Sequence, residues 1–157
     1  PEFSRVLLVI LMFCGACAGS TGGGLKCSRV LVVFKVLLRE IRLIIHPRSV
    51  AVVKLDGQVL EESTVRAILT FFSAYMLIVL GAALVVALDN QPFGTTLTAV
   101  ISCMGNVGPG LELVGPMGNF GLFSPLSKLT LSLCMLVGRL EIFPILVLFS
   151  RRAWKKV

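Results

Sequence analysis

Residues 67–88 are 22 consecutive positions without a charge, with only Thr70, Ser73 and Tyr75 as polar handles. A helix of about 20 apolar residues spans the hydrocarbon of a bilayer. No soluble core of this size needs such a run, and 56% of the 157 residues are hydrophobic. The chain therefore reads as an all-α integral membrane protein, and every other segment has to be read against a bilayer. That constraint is severe. Backbone that leaves a helix at membrane depth must bond to other protein, or face water or an ion.

The net charge of +7 matters through its placement. Eight of the fifteen Lys and Arg lie in residues 26–66, and four more are Arg151, Arg152, Lys155 and Lys156. These clusters flank apolar spans, so they read as cytoplasmic loops and not as a nucleic-acid surface. Membrane lipid, with its anionic headgroups, is a second partner for them. Cys14 and Cys17 form a CxxC, but no second pair and no neighbouring histidine accompany it. Small residues in close packing are the expected role, with no disulfide and no metal cluster. The chain opens at Pro1-Glu2-Phe3 without a start methionine or signal peptide, and is expected to be a piece of a longer protein.

Residues 6–25 are uncharged and long enough to span, yet Gly15, Gly19, Gly22, Gly23 and Gly24 crowd their second half. Clustered glycines cost helix stability, which predicts a break after about Cys17 and a helix resuming near Leu25 and running to Ile45. The result is a kinked transmembrane helix over 1–46 whose middle, 15–26, is an intramembrane glycine-rich loop. Residues 19–26 fail as a phosphate-binding loop, because Leu25 precedes Lys26 and Cys27 follows it. His46 reads as a helix-end residue beside Pro47. Residues 47–63 form a cytoplasmic connector, with a hairpin predicted over 50–60 around Asp56-Gly57 and Ser63 predicted to cap the next helix.

Residues 93–111 are uncharged too, but they carry Thr95, Thr96, Thr98, Ser102 and Asn106, then glycines and a proline. Charge parity decides their path. A crossing here would put residues 26–66 and the basic C-terminus on opposite sides; a dip and return keeps both cytoplasmic. The reading is a short pore-type helix from Pro92 to Met104, then non-helical backbone. The last span, 126–150, is interrupted by Gly138-Arg139-Leu140-Glu141. Arg139 and Glu141 are two residues apart and face different sides of a helix. They serve either as ion pairs with other helices or, for Arg139, as a positive charge along an ion pathway. Residues 64–150 thus read as helix (64–88), re-entrant segment (92–110) and helix (126–150), with 151–157 as a cytoplasmic tail.

The segment Asn106-Val107-Gly108-Pro109-Gly110 is spaced like the potassium-channel filter Thr-Val-Gly-Tyr-Gly. A Gly/Pro turn between apolar helices is the other reading of these five residues. Four ordered motifs carry a fuller resemblance: 17–26, His46-Pro47-Arg48, 105–110 and 138–144. Together they resemble the Trk/Ktr/HKT potassium transporter family, in particular its TrkH-type membrane subunit, across essentially the whole chain. The resemblance implies a pore from four helix–pore loop–helix repeats, of which this chain resembles the end of the third and all of the fourth. It implies filter residues Asn106, Val107, Gly108, Pro109 and Gly110, with transported potassium at Asn106, Val107 and Gly108 and no bound cofactor. It implies a gate loop of Gly19, Ser20, Thr21, Gly22, Gly23, Gly24 and Lys26, with Arg139 below the filter. It also implies a homodimer in the bacterial inner membrane and a cytosolic nucleotide-binding regulatory subunit of the TrkA/KtrA type.

An enzyme is not expected, since the spans offer no nucleophile–base pair, paired carboxylates or metal cluster. The alternative function is a proton- or sodium-coupled carrier built on broken helices.

Overall fold

The computed structural model describes residues 1–15, 17, 23–46, 52–55 and 57–140. Within them the chain forms helices α1 (Glu2–Cys14), α2 (Cys27–Ile45), α3 (Glu62–Val86), α4 (Phe93–Gly105) and α5 (Pro125–Leu140). A two-stranded hairpin, β1 (Lys54–Leu55) and β2 (Gln58–Val59), lies between α2 and α3. Residues 47–51, Asp56 and 141–157 lie outside the description, and with them Pro47, Arg48, the end of the 126–150 span and the basic tail.

α3 and its 3-10 continuation, Glu62–Asp89, form the one described helix long and apolar enough to cross a membrane. Phe71, Tyr75, Val79, Ala82 and Val86 make its buried stripe at three- and four-residue spacing. Leu77, Leu80, Leu84 and Leu88 are exposed on another face. A helix apolar on both its packed and its open faces is what a bilayer neighbour demands. The helix begins at Glu62, so Ser63 lies inside its first turn, where its hydroxyl donates to Glu61 Oε2 (2.9 Å) and caps no backbone amide. The cap predicted for Ser63 is therefore corrected: Glu61 stands at the N-cap, and the helix starts two residues earlier than a Ser63 cap allows.

The end of α3 is pinned to the start of α5. The Ser124 amide donates to Asp89 Oδ2 (2.8 Å), and the Ser127 amide donates to Ser124 Oγ (3.3 Å). Ser124 thus caps α5 ahead of Pro125, whose missing N–H costs nothing in a first turn. Two helices joined end to start in this way run antiparallel. α4 starts at the same end, four residues past Asp89. Its 13 residues rise only about 20 Å, against the ~30 Å of a bilayer's hydrocarbon.

The main core lies among α3, α4 and α5, where Val86, Ala99, Val100, Cys103, Met104, Leu131 and Cys134 are buried together. Phe13 of α1 meets Tyr75 edge-on (5.7 Å between ring centroids), and Arg29 of α2 lies 4.1 Å over the Phe71 ring. A second, smaller cluster sits at the other end of α3: Val32 and Val36 of α2, Val53 before the hairpin, and Val65. There Lys35 Nζ donates to the Lys54 carbonyl (2.8 Å) and Arg39 bonds Glu62 (3.0 Å). The hairpin pairs Lys54 with Val59 and Leu55 with Gln58 around Gly57, whose φ of +81° suits a tight turn.

α1 stops at Cys14, and Gly15 follows with φ +65°. The helix break therefore comes three residues before the Cys17 of the sequence reading. Cys27 Sγ lies 3.7 Å from the carbonyls of Cys14 and Gly15, so α2 begins beside the point where α1 ends.

Leu131, 3% exposed, joins α5 to this core. Leu131→Ala is expected to lower stability by about 2–5 kcal/mol, read as a lower midpoint of unfolding in detergent micelles. An unchanged midpoint would mean that α5 is not held by this contact.

Candidate functional site

The site is built where α4 ends. Asn106 takes a left-handed conformation (φ 53°, ψ 38°) directly after Gly105. Its amide donates to Cys103 O (3.2 Å) and that of Val107 to Ser102 O (3.0 Å). These paired bonds close the helix, and Asn is the residue after Gly that best tolerates the required backbone. The chain then doubles back along its own helix. Ser102 Oγ donates to the Pro109 carbonyl (2.8 Å), the Leu111 amide donates to Thr98 Oγ1 (3.1 Å), and Thr95 Oγ1 donates to Glu112 Oε2 (2.9 Å). Contacts thus fall at Ser102, Thr98 and Thr95 in turn, from the end of α4 towards its start. Residues 93–112 leave and return at the same end of the bundle, the end that holds Asp89 and Ser124.

Residues 106–109 are exposed, while Gly110 is buried, its amide donating to Val114 O (2.7 Å). Gly108 has φ +108° and open space where a Cβ would lie, so its backbone and not its surroundings selects glycine. Asn106 and Val107 also line a cleft with Leu8, Leu11 and Met12 of α1.

Three sequence-distant stretches meet at the base of this turn. The Gly24 amide donates to Gly138 O (3.1 Å). A Cβ on Gly24 would lie 3.0 Å from Gly105 Cα, and one on Gly138 would overlap the Met104 carbonyl. Asn106 Nδ2 donates to Met135 O (3.3 Å) and sits against Gly23. Gly23, Gly24 and the end of α5 are therefore fastened to the end of α4 through bare backbone. Leu25, fully buried, seals the contact.

Of the gate-loop residues expected from the sequence, Gly23 and Gly24 are in this cluster and Lys26 stands at the start of α2. Gly19, Ser20, Thr21 and Gly22 lie outside the described residues. Arg139 is exposed in the last turn of α5, next to the Gly138 that binds Gly24. Glu141 and Pro144 lie outside the description. Sequence reasoning took Thr95, Thr98 and Ser102 only as unwelcome polarity in a span. Their i, i+3, i+7 spacing on one helix face was the signal that they act together.

The described residues form a mostly helical bundle, with one helix long and apolar enough to cross a bilayer. The chain belongs to the TrkH family: residues 1–156 match the family model described as TrkH, cation transport protein. It is 40% identical over 156 residues to the Trk system potassium uptake protein TrkH of Escherichia coli (strain K12) and, equally, to that of Salmonella typhimurium. Each match covers 99% of this chain and 32% of the relative, so the chain spans about a third of their length. The crystal structure of the potassium transporter TrkH from Vibrio parahaemolyticus superposes with a TM-score of 0.83 at 37% identity, covering 99% of this chain and 33% of that one. These relatives carry transport names and not enzyme names, in line with the sequence reading.

Gly138→Ala forces a methyl into the Met104 carbonyl, whereas Gly81, in mid-α3, has nothing within 4 Å of a built Cβ. Gly138→Ala is expected to lower the detergent unfolding midpoint by a margin worth about 1–3 kcal/mol. Gly81→Ala, which improves helix propensity, is expected to leave it level or raise it. Equal behaviour of the two variants would remove the close approach from the site.

Proposed function

We propose that this chain forms one sector of a potassium-uptake pathway through the bacterial inner membrane, in a multi-pass protein. The returning backbone after α4 is the observation that carries the reading. A 13-residue buried helix, too short to span, followed by exposed backbone that retraces it, supports a re-entrant pore segment rather than a crossing. Family membership supports the cargo, since the relatives are named for potassium uptake.

On this reading the carbonyls of Asn106, Val107 and Gly108 replace the water around a potassium ion, with Pro109 and Gly110 completing the filter stretch. The glycine at 108 lets the main chain adopt the left-handed turn that aims them. Residues 15–26 form the gate loop, held shut by the bond from Gly24 to Gly138. Arg139, one residue further, contributes a positive charge beside that loop, which opposes cation passage until the loop moves. The wider reading comprises four such repeats around one axis, a homodimer, and a cytosolic nucleotide-binding subunit of the TrkA/KtrA type that drives the gate. The basic residues 26–66 support a cytoplasmic location for their end of the bundle.

Gly108→Ser puts a side chain on a left-handed backbone at a cost of about 1–2 kcal/mol. In the intact membrane protein it is expected to lower the ratio of rubidium to sodium uptake in proteoliposomes. An unchanged ratio would remove Gly108 from the filter and the pore reading with it. Arg139→Ala is expected to raise basal cation leak in the same vesicles by roughly tenfold, the change that about 1.4 kcal/mol produces. A tighter pathway would contradict the role given to this arginine.

A further inference from the structure

Resting on that reading, we propose that Thr95, Thr98 and Ser102 are positioning residues that set the filter's selectivity, and that the Pro109 carbonyl is withheld from the ion. The three hydroxyls are buried on one face of α4. Each holds a successive residue of the returning segment: Ser102 the Pro109 carbonyl, Thr98 the Leu111 amide, Thr95 the Glu112 side-chain carboxylate.

The chemistry of each rung is specific. Proline has no N–H, so its carbonyl is its one main-chain polar group. That oxygen is turned towards α4 and takes the Ser102 proton at 2.8 Å. Thr98 works in both directions, donating to Gly94 O (2.7 Å) and accepting from the Leu111 amide (3.1 Å). The amides of Asn106, Val107 and Gly110 are also turned inward, to Cys103 O, Ser102 O and Val114 O. Among the described residues none donates a hydrogen bond to the carbonyls of Asn106, Val107 or Gly108. The ladder therefore sorts the main chain of this segment. The amides of Asn106, Val107, Gly110 and Leu111, and the Pro109 oxygen, are tied to protein; the three consecutive oxygens of residues 106–108 are left for a cation. Glu112, at φ 56°, holds a conformation uncommon for a side-chain-bearing residue, and the Thr95 bond anchors it there.

The test compares rubidium and sodium uptake by the intact membrane protein in one set of proteoliposomes, so that the ratio is independent of how much protein is present. Thr98→Val keeps shape and loses the hydroxyl; Thr98→Ser keeps the hydroxyl. Ser102→Ala removes the donor to Pro109. Thr98→Val and Ser102→Ala are each expected to lower the ratio about 5-fold, the size set by one lost buried hydrogen bond. Thr98→Ser should hold the ratio at the parent value. Thr130→Ala, whose hydroxyl bonds only its own helix at Leu126 O (3.0 Å), is the control and should also hold it. If Ser102→Ala does not assemble, Ser102→Cys, a weaker donor of similar shape, should give an intermediate ratio. Unchanged ratios in Thr98→Val and in the Ser102 variant, beside a lowered ratio in Gly108→Ser, would overturn the ladder and leave the pore reading standing. An unchanged ratio in Gly108→Ser overturns the pore reading itself.

Discussion

A peptide group placed where water cannot reach it must find a partner, and this rule governs residues 105–112 more than any side-chain preference does. Helix α4 satisfies its own backbone up to Gly105. Beyond that point the amides of Asn106 and Val107 bond to the last turn of the helix, that of Leu111 to Thr98 and that of Gly110 to Val114. The oxygens of residues 106–108, which are exposed, accept no hydrogen bond from the described residues. Burying three such oxygens without donors would cost several kcal/mol. The arrangement makes physical sense beside something that supplies positive charge or water, and an alkali cation supplies the former.

The second constraint is how closely three backbones approach. Helices usually keep 8–10 Å apart because side chains intervene. At Gly24, Gly105 and Gly138 there are no side chains, and main-chain atoms touch. The Gly24 amide bonds a carbonyl of α5, and Gly138 in turn presses on the carbonyl that precedes Gly105. A displacement of the loop that carries Gly24 therefore cannot leave the end of α4 untouched. Close-packed contacts of this kind yield by switching between arrangements rather than by stretching. In the proposed pathway this makes the gate and the filter base one mechanical unit, with Arg139 attached to the same turn of α5.

How far the sequence revealed this depends on the kind of signal involved. Residues 67–88 announced α3, because an uncharged run of that length has few other fates. The start and end of α4 were legible from Pro92 and from the Gly105-Asn106 pair, each of which acts on its own local backbone. Local rules were less reliable at the margins. Gly15 ended α1 ahead of the expected break, since one glycine at φ +65° suffices to leave the helix. Ser63 was outcompeted as a cap by a helix that began at Glu62. The ladder at Thr95, Thr98 and Ser102 was visible only as polarity, because its partners lie 7 to 17 residues further along. The meeting of Gly24, Gly105 and Gly138 was not legible at all. It joins positions more than a hundred residues apart, and nothing about a single glycine says which carbonyl it will face.

The exposed surfaces carry the argument one step further. α1 is strongly apolar yet buries none of its residues among those described, and Phe3, Val6, Leu7, Ile10 and Leu11 all stand open. The turn at residues 106–109 is open on the same side of the molecule as the cleft it shares with Leu8, Leu11 and Met12. A large apolar surface beside polar main-chain oxygens is costly in water and costly in lipid, for opposite reasons. Each cost disappears if further protein packs on α1 while the oxygens face a narrow hydrated path. In the proposed four-repeat assembly that is what the remaining repeats do. The returning segment then needs no rearrangement to serve as a pore wall, because its hydroxyl ladder already holds it rigid from behind.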